Sequence, residues 1–161
     1  MLVGTIVVRP LMPEDARAAR DTIVDHFRGT PYLARMLEVL DDALRFDDPE
    51  FLCLLAAPGE SDPLAGLVLF GTVLGARLVT RVHAVVAPDP RVQLALVDAV
   101  RETCVRSGER LVVCELPHDT SFDITGVALL ASGFHEEGRI DDFVRDGVAL
   151  RLLVWRPEAS S

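Results

Sequence analysis

The chain has 161 residues, half of them apolar, which suits a single domain with a sizeable core and is too apolar for a disordered segment. Its 16 basic residues, all arginines, face 25 acidic ones, and a formal net charge of -9 argues against nucleic acid as a partner, since phosphate neutralisation needs clustered cations. Apolar runs are too short to span a bilayer and Met1–Val8 lacks a basic start, so neither a membrane role nor a signal peptide is expected, and a cytoplasmic setting is.

Thr5–Arg9 reads as a short β-branched strand. Pro13, Glu14 and Asp15 open a helix that runs to about Phe27, with proline and acids in the first turn. Gly29-Thr30-Pro31 ends it. A second helix, about Tyr32 to Phe46, carries Leu33, Met36, Leu37, Leu40 and Leu44 on one side, and Asp47-Asp48-Pro49 closes it. Glu50–Ala57 and Leu64–Leu74 are expected strands around the turn-rich Pro58–Pro63. Arg77–Ala87 reads as a central strand buried on both faces, with Arg81 and His83 its titratable members. Pro88 breaks it, Asp89 is a good N-cap, and Pro90 suits a first helical position. The helix Val92–Ser107 places Leu96, Ala99, Val100, Thr103 and Cys104 on one face and Asp98, Arg101, Glu102 and Arg106 on the other. Leu111–Leu116 is a fifth strand, Pro117–Ser121 a polar loop, and Asp123–Ala131 a helix capped by Ser121 or Asp123. Gly133–Val144 and Val148–Arg156 form a closing hairpin turned at Asp146-Gly147. The domain is expected to cover 1–157, with 158–161 as a tail.

A buried strand running into an amphipathic helix aims unpaired N–H groups at the strand end, a natural seat for phosphate. The three cysteines, Cys53, Cys104 and Cys114, sit in apolar patterns and read as buried small hydrophobes. His26 and His135 read as ordinary surface electrostatics. No His-x-x-x-His or Cys-x-x-Cys spacing is present, so no metal is expected.

The order β-α-α-β-β-β-α-β-α-β-β, with four local features, resembles the GNAT superfamily of acyl-CoA-dependent N-acyltransferases. The features are Val8-Arg9-Pro10 with Asp15; Val86–Arg91 entering the long helix; Leu129–Phe134 as a helix-to-strand Gly-Phe junction; and Gly138, Asp142 and Asp146-Gly147 in the hairpin. The resemblance implies an α/β fold with a mixed, mostly antiparallel sheet of about seven strands. Helices should cover both faces, and the sheet should splay between its fourth and fifth strands.

The same resemblance implies acetyl-CoA or another acyl-CoA as co-substrate. It would be held around Val86, Arg91, Val92, Gln93, Leu94, Ala95 and Leu96. In the family this loop usually reads Arg/Gln-x-x-Gly-x-Gly/Ala, so Leu94 and Leu96 stand where glycines would admit the pyrophosphate. Leu129 stands where the family's frequent general acid, a tyrosine, would be. Tyr32, the single tyrosine, falls where the family often lines its acceptor site.

Acyl transfer to an amine must align two substrates, take a proton from nitrogen and return one to sulfur. His83, on the same face as Arg81 and Val85 by alternation, is the candidate base; the bland alternative is a satisfied core histidine. Glu115 and His118, with Asp119, would face the cleft; the bland alternative for His118 and Asp119 is a solvated turn. Two readings follow: an N-acyltransferase acting on an amine of a small molecule or protein, or a GNAT-like binding or interaction domain that has lost acyl-CoA. An exposed Leu94 could be incidental, or could cover a contact in a homodimer.

Overall fold

The computed structural model describes residues 4–158 and shows one seven-stranded sheet with the order β1-β2-β3-β4-β5-β7-β6. The strands are β1 Val7–Pro10, β2 Phe51–Ala57, β3 Gly66–Thr72, β4 Val79–Val86, β5 Leu111–Pro117, β6 His135–Arg145 and β7 Val148–Trp155. The helices are α1 Ala16–Phe27, α2 Leu33–Ala43, α3 Pro90–Arg106 and α4 Asp123–Ala131. Among the described residues β4 pairs parallel with β5, and the other pairs are antiparallel. The expected fold class is what forms, with Val79–Val86 at the centre of the sheet. Residues 1–3 and 159–161, including most of the expected tail, lie outside the described residues.

β3 shows why the sheet is covered on both sides. Its positions Gly66 to Gly71 are buried in succession, where a one-sided sheet would alternate. α1 packs against α2, and α3 against α4. Leu40, Leu55, Leu67, Leu69, Leu96 and Leu153 are among the fully buried side chains between these layers. The start of the chain is fastened by a bidentate pair: Arg9 donates to both Asp15 oxygens at 2.7 and 2.8 Å, and Asp15 also accepts the Met12 N–H at 2.9 Å.

The second helix stops at Ala43, not Phe46, because the Asp42 carboxylate accepts the Phe51 N–H at 2.9 Å and Phe46 takes a left-handed φ of 59°. α3 starts at Pro90, the first helical position that the Asp89 cap and the proline mark. Asp119, rather than Ser121 or Asp123, supplies the cap near α4: it accepts the Ser121 N–H at 2.8 Å and opens a 3-10 turn, Thr120–Phe122, ahead of the helix.

Gly66 brings β3 tightly under the β4–α3 junction. A Cβ there would lie 2.6 Å from the Val86 carbonyl oxygen and 2.7 Å from the Ala87 Cβ. We therefore expect Gly66→Ala to overpack the junction and cost about 1–3 kcal/mol. A lowered urea midpoint at unchanged m-value would show it; an unchanged midpoint would contradict it.

Candidate active site

β4 and β5 pair only through Val79–Leu111, Thr80–Val112 and Arg81–Val113, and then separate. The rest of the β4 edge has lost its neighbour, yet its polar groups are buried and need partners. Two side chains supply them. Gln93, 1% exposed on α3, donates from Nε2 to the Ala87 carbonyl at 2.9 Å. The Thr125 hydroxyl, from α4, lies 2.8 Å from Gln93 Oε1 and 3.1 Å from the Val85 carbonyl. One hydroxyl hydrogen cannot serve both acceptors. The hydroxyl can turn to either, so Thr125 ties Gln93 and the β4 edge into one network.

At the end of β4 the chain turns into α3. Pro90 has no N–H, and the Arg91 N–H goes to Asp89 Oδ1 at 2.9 Å. The Val92 and Gln93 N–H groups both reach the Asp89 carbonyl, at 3.0 and 3.2 Å. The helix N-terminus thus has its first donors occupied from within the chain. The Arg91 guanidinium closes over Asp89, 2.8 Å from Nη2 to Oδ2, and holds that carboxyl below the usual carboxylate range. Beside the junction lies a cavity of about 910 Å³, reached by Val86, Asp89, Arg91 and Val92 and also by Asp25, His26 and Asp62.

A second, smaller cleft of about 120 Å³ opens where β4 and β5 part, walled by Tyr32, Met36, Arg81, His83, Glu115 and Phe122. His83 is there because of an irregularity. Leu69 pairs with Ala84 and Phe70 with Val82, so His83 is the extra residue of a bulge. The bulge resets the alternation: Arg81 and His83 share the cleft, and Val85 does not. His83 packs edge-on against Phe51, centroids 4.9 Å apart, and its Nε2 is buried without a hydrogen-bond partner. Burial, reinforced by Arg81 and Arg35, pushes the imidazole down to about 4, so it is neutral at ordinary pH. Arg81 gives Nη2 to Glu115 at 2.8 Å, while its Nε is buried without a partner.

A polar cluster stands at one end of this cleft. Tyr32 donates to Asp119 at 3.0 Å, and Arg145, from the end of β6, donates to the Tyr32 hydroxyl at 3.0 Å and to Asp119 at 2.5 Å. Burial raises the Tyr32 hydroxyl above its usual value, so the phenol keeps its proton.

The candidate residues fall into place unevenly. His83 and Glu115 meet in the small cleft. His118 does not line it: its exposed Nδ1 accepts from Arg139 at 3.0 Å. Val86, Arg91 and Val92 line the large cavity, whereas Gln93 and Leu96 are buried and Leu94 and Ala95 are half-buried along α3. Gln93 and Thr125 emerge as a polar clasp that periodicity does not reveal, because a buried glutamine looks like a surface one in sequence. His26 is half-buried, and its Nε2 donates to the Ser121 carbonyl at 3.0 Å. Cys53, Cys104 and Cys114 are buried and free, and burial pushes the Cys53 and Cys114 thiols up to about 12.

No protein-family model and no curated protein sequence matches the chain. Solved structures do. A Desulfovibrio desulfuricans protein assigned to the GNAT family of acetyltransferases aligns over 94% of this chain and 99% of its own, with a TM-score of 0.79 at 18% identity. The chain has the GNAT fold. A Salmonella typhimurium GNAT-fold protein solved with its cofactor acetyl-CoA aligns over 98% of this chain and 97% of its own, at TM-score 0.72 and 12% identity. The aminoglycoside 6'-N-acetyltransferase of Enterococcus faecium aligns over 96% and 99%, at TM-score 0.71 and 11% identity. Within this GNAT fold Leu129 is fully buried, so the position is packed into the core.

The suppressed basicity of His83 has a thermodynamic counterpart. The unfolded imidazole takes a proton near 6.5 and the folded one near 4, so between these values the unfolded state binds more protons and stability falls as pH falls. We expect this window to contribute at most about 3 kcal/mol of acid destabilisation. Urea unfolding from pH 7 to pH 4 should show the slope, and His83→Gln should flatten it. An equal slope in the variant would mean that another group titrates.

Proposed function

We propose that the chain is an acyl-CoA-dependent N-acyltransferase that moves an acetyl or other acyl group from the thioester to an amine. The observation that carries this reading is the parted edge of β4, which runs up to a cleft that holds His83. An extended thioester arm with amide groups would lie along that edge. Its acyl carbon would then point to the cleft. The fold is shared with a protein solved with acetyl-CoA, which supports the same co-substrate here.

The roles follow from placement. His83, neutral with a free ring nitrogen, takes the proton released when the amine attacks. Glu115 anchors Arg81 and so fixes the cleft wall. His118 stands at the outer rim, paired with Arg139 and away from the cleft. At the other end, phosphates would meet Arg91 swung away from Asp89, with Val86 and Val92 beside it and the start of α3 from Gln93 to Leu96 behind. The small cleft suits the amine of a small molecule better than a bulky protein segment. Three free buried cysteines fit a reducing, cytoplasmic setting.

One observation favours a second reading. Asp89 and its carbonyl occupy the first N–H groups of α3, and Asp25 and Asp62 add negative charge to the adjoining cavity. A GNAT-fold domain without acyl-CoA would look like this at its junction. Titration calorimetry with acetyl-CoA and with free CoA separates the two. Enzyme function predicts binding below millimolar concentration, several-fold stronger in Asp89→Asn and several-fold weaker in Arg91→Gln. No heat at millimolar ligand would leave the interaction domain as the correct reading.

A further inference from the structure

The two halves of the sheet are covered differently. α1 and α2 pack over β2, β3 and β4. Beyond β4 the burial alternates along the strands. On one face Val112, Cys114 and Leu116 of β5 and Leu153 and Trp155 of β7 are buried. On the other, Val113 and Pro117 of β5 and Leu150 and Leu152 of β7 are only half-buried, and Ile140 of β6 is 55% exposed. An apolar face is therefore left partly in water.

This face is continuous with the small cleft. Glu115 and Pro117, which line the cleft, stand opposite Leu152 and Leu150. Those in turn stand opposite Gly138 and Ile140. Directly opposed residues share a face, so two rows run outward from the cleft, Glu115-Leu152-Gly138 and Pro117-Leu150-Ile140. Gly138 puts no side chain in its row; even a Cβ there would stand 3.8 Å from that of Leu152. Strands lie about 4.8 Å apart, so the rows reach on the order of 10 Å from β5 to β6.

One carboxylate oxygen marks the cleft end of this apolar track. Arg81 engages Glu115 Oε1 at 2.8 Å, and among the described residues nothing pairs with Oε2. The Glu115 side chain is 43% exposed, so that oxygen is open to a ligand. A negative charge beside an apolar strip complements a molecule with a cationic head and an apolar tail.

We propose that the acceptor is an amphipathic primary amine, its ammonium head on Glu115 Oε2 and its apolar body laid across the β5–β7–β6 face over Leu152, Leu150 and Ile140. The inference rests on the acyltransferase reading. The bound ammonium gives one proton to solvent, and the freed lone pair attacks the thioester carbonyl carbon. The C–N bond forms and the C–S bond breaks, with its electron pair leaving on sulfur. His83 takes a second proton from nitrogen and passes it to the thiolate. The products are the N-alkyl amide, free CoA and one proton.

The test is a chain-length series of ethylamine, butylamine and hexylamine with acetyl-CoA, followed by release of free thiol. We expect kcat/KM to rise about twofold per methylene, half the effect of full burial, since one side of the tail stays in water. Ile140→Asp should flatten this slope. Ligand-observed saturation-transfer NMR at pH 7.5 compares hexylamine with hexanoate, the same kind of tail under opposite charge. Hexylamine should bind at least about fivefold more tightly, and Glu115→Gln should weaken it about two- to fivefold. The wild-type series and the NMR comparison decide the matter even should a variant fail to fold. A slope that is flat or falling, or hexanoate bound as tightly as hexylamine, overturns the proposal. So does a dimer in sedimentation that Ile140→Asp turns into a monomer, because a second copy would then cover the face. Failure of the two readings is distinguishable: a protein that acetylates all three amines equally keeps the enzyme and loses this inference. One that binds no CoA loses the enzyme, while the NMR comparison still decides what the face prefers.

Discussion

A strand that loses its neighbour inside a protein leaves backbone groups that water cannot reach. β4 is in this position beyond Arg81, where β5 turns away. The response organises the domain. Gln93 must come from α3 and Thr125 from α4, so the two helices are brought together over the gap. The gap is thus a break in the ladder that side chains of the surrounding helices fill.

The same economy of partners governs the charges. Arg9 with Asp15, Arg81 with Glu115, Arg91 with Asp89 and Arg145 with Asp119 each bring one cation to one carboxylate. These surface and half-buried pairs contribute little stability individually. Their effect is to fix neighbouring elements to one another, Arg81 of β4 to Glu115 of β5 and Arg145 of β6 to Asp119 before α4. Arginine suits this work, since its planar fork can engage a carboxylate while leaving a further N–H, such as Arg81 Nε, for something else.

Much of the fold was legible in the sequence. Strand and helix order, the central place of Val79–Val86, the Asp89 cap with Pro90 behind it and the Asp146-Gly147 turn all follow from local rules of periodicity and chain punctuation. The candidate site was legible only where chemistry and position coincide. His83 and Glu115 sit on neighbouring strands and were bound to approach each other. His118 left because its loop turns toward β6, a tertiary outcome. The clasp of Gln93 and Thr125 and the reach of Arg145 to Tyr32 span 32 and 113 residues of chain, a separation at which periodicity carries no information. The bulge at His83 was hidden for a different reason: an extra residue in an apolar, β-branched run changes neither composition nor propensity.

That extra residue makes β4 two short strands joined out of phase. Before it, Arg81 lines the small cleft; after it, Ala84, Val85 and Val86 are buried in the core. Loss of a single residue at this point would bring the halves into step. The pairing of Leu69 with Ala84 and of Phe70 with Val82 would stand unchanged, and plain alternation would run through β4. One backbone position thus keeps the strand from being an ordinary member of its sheet.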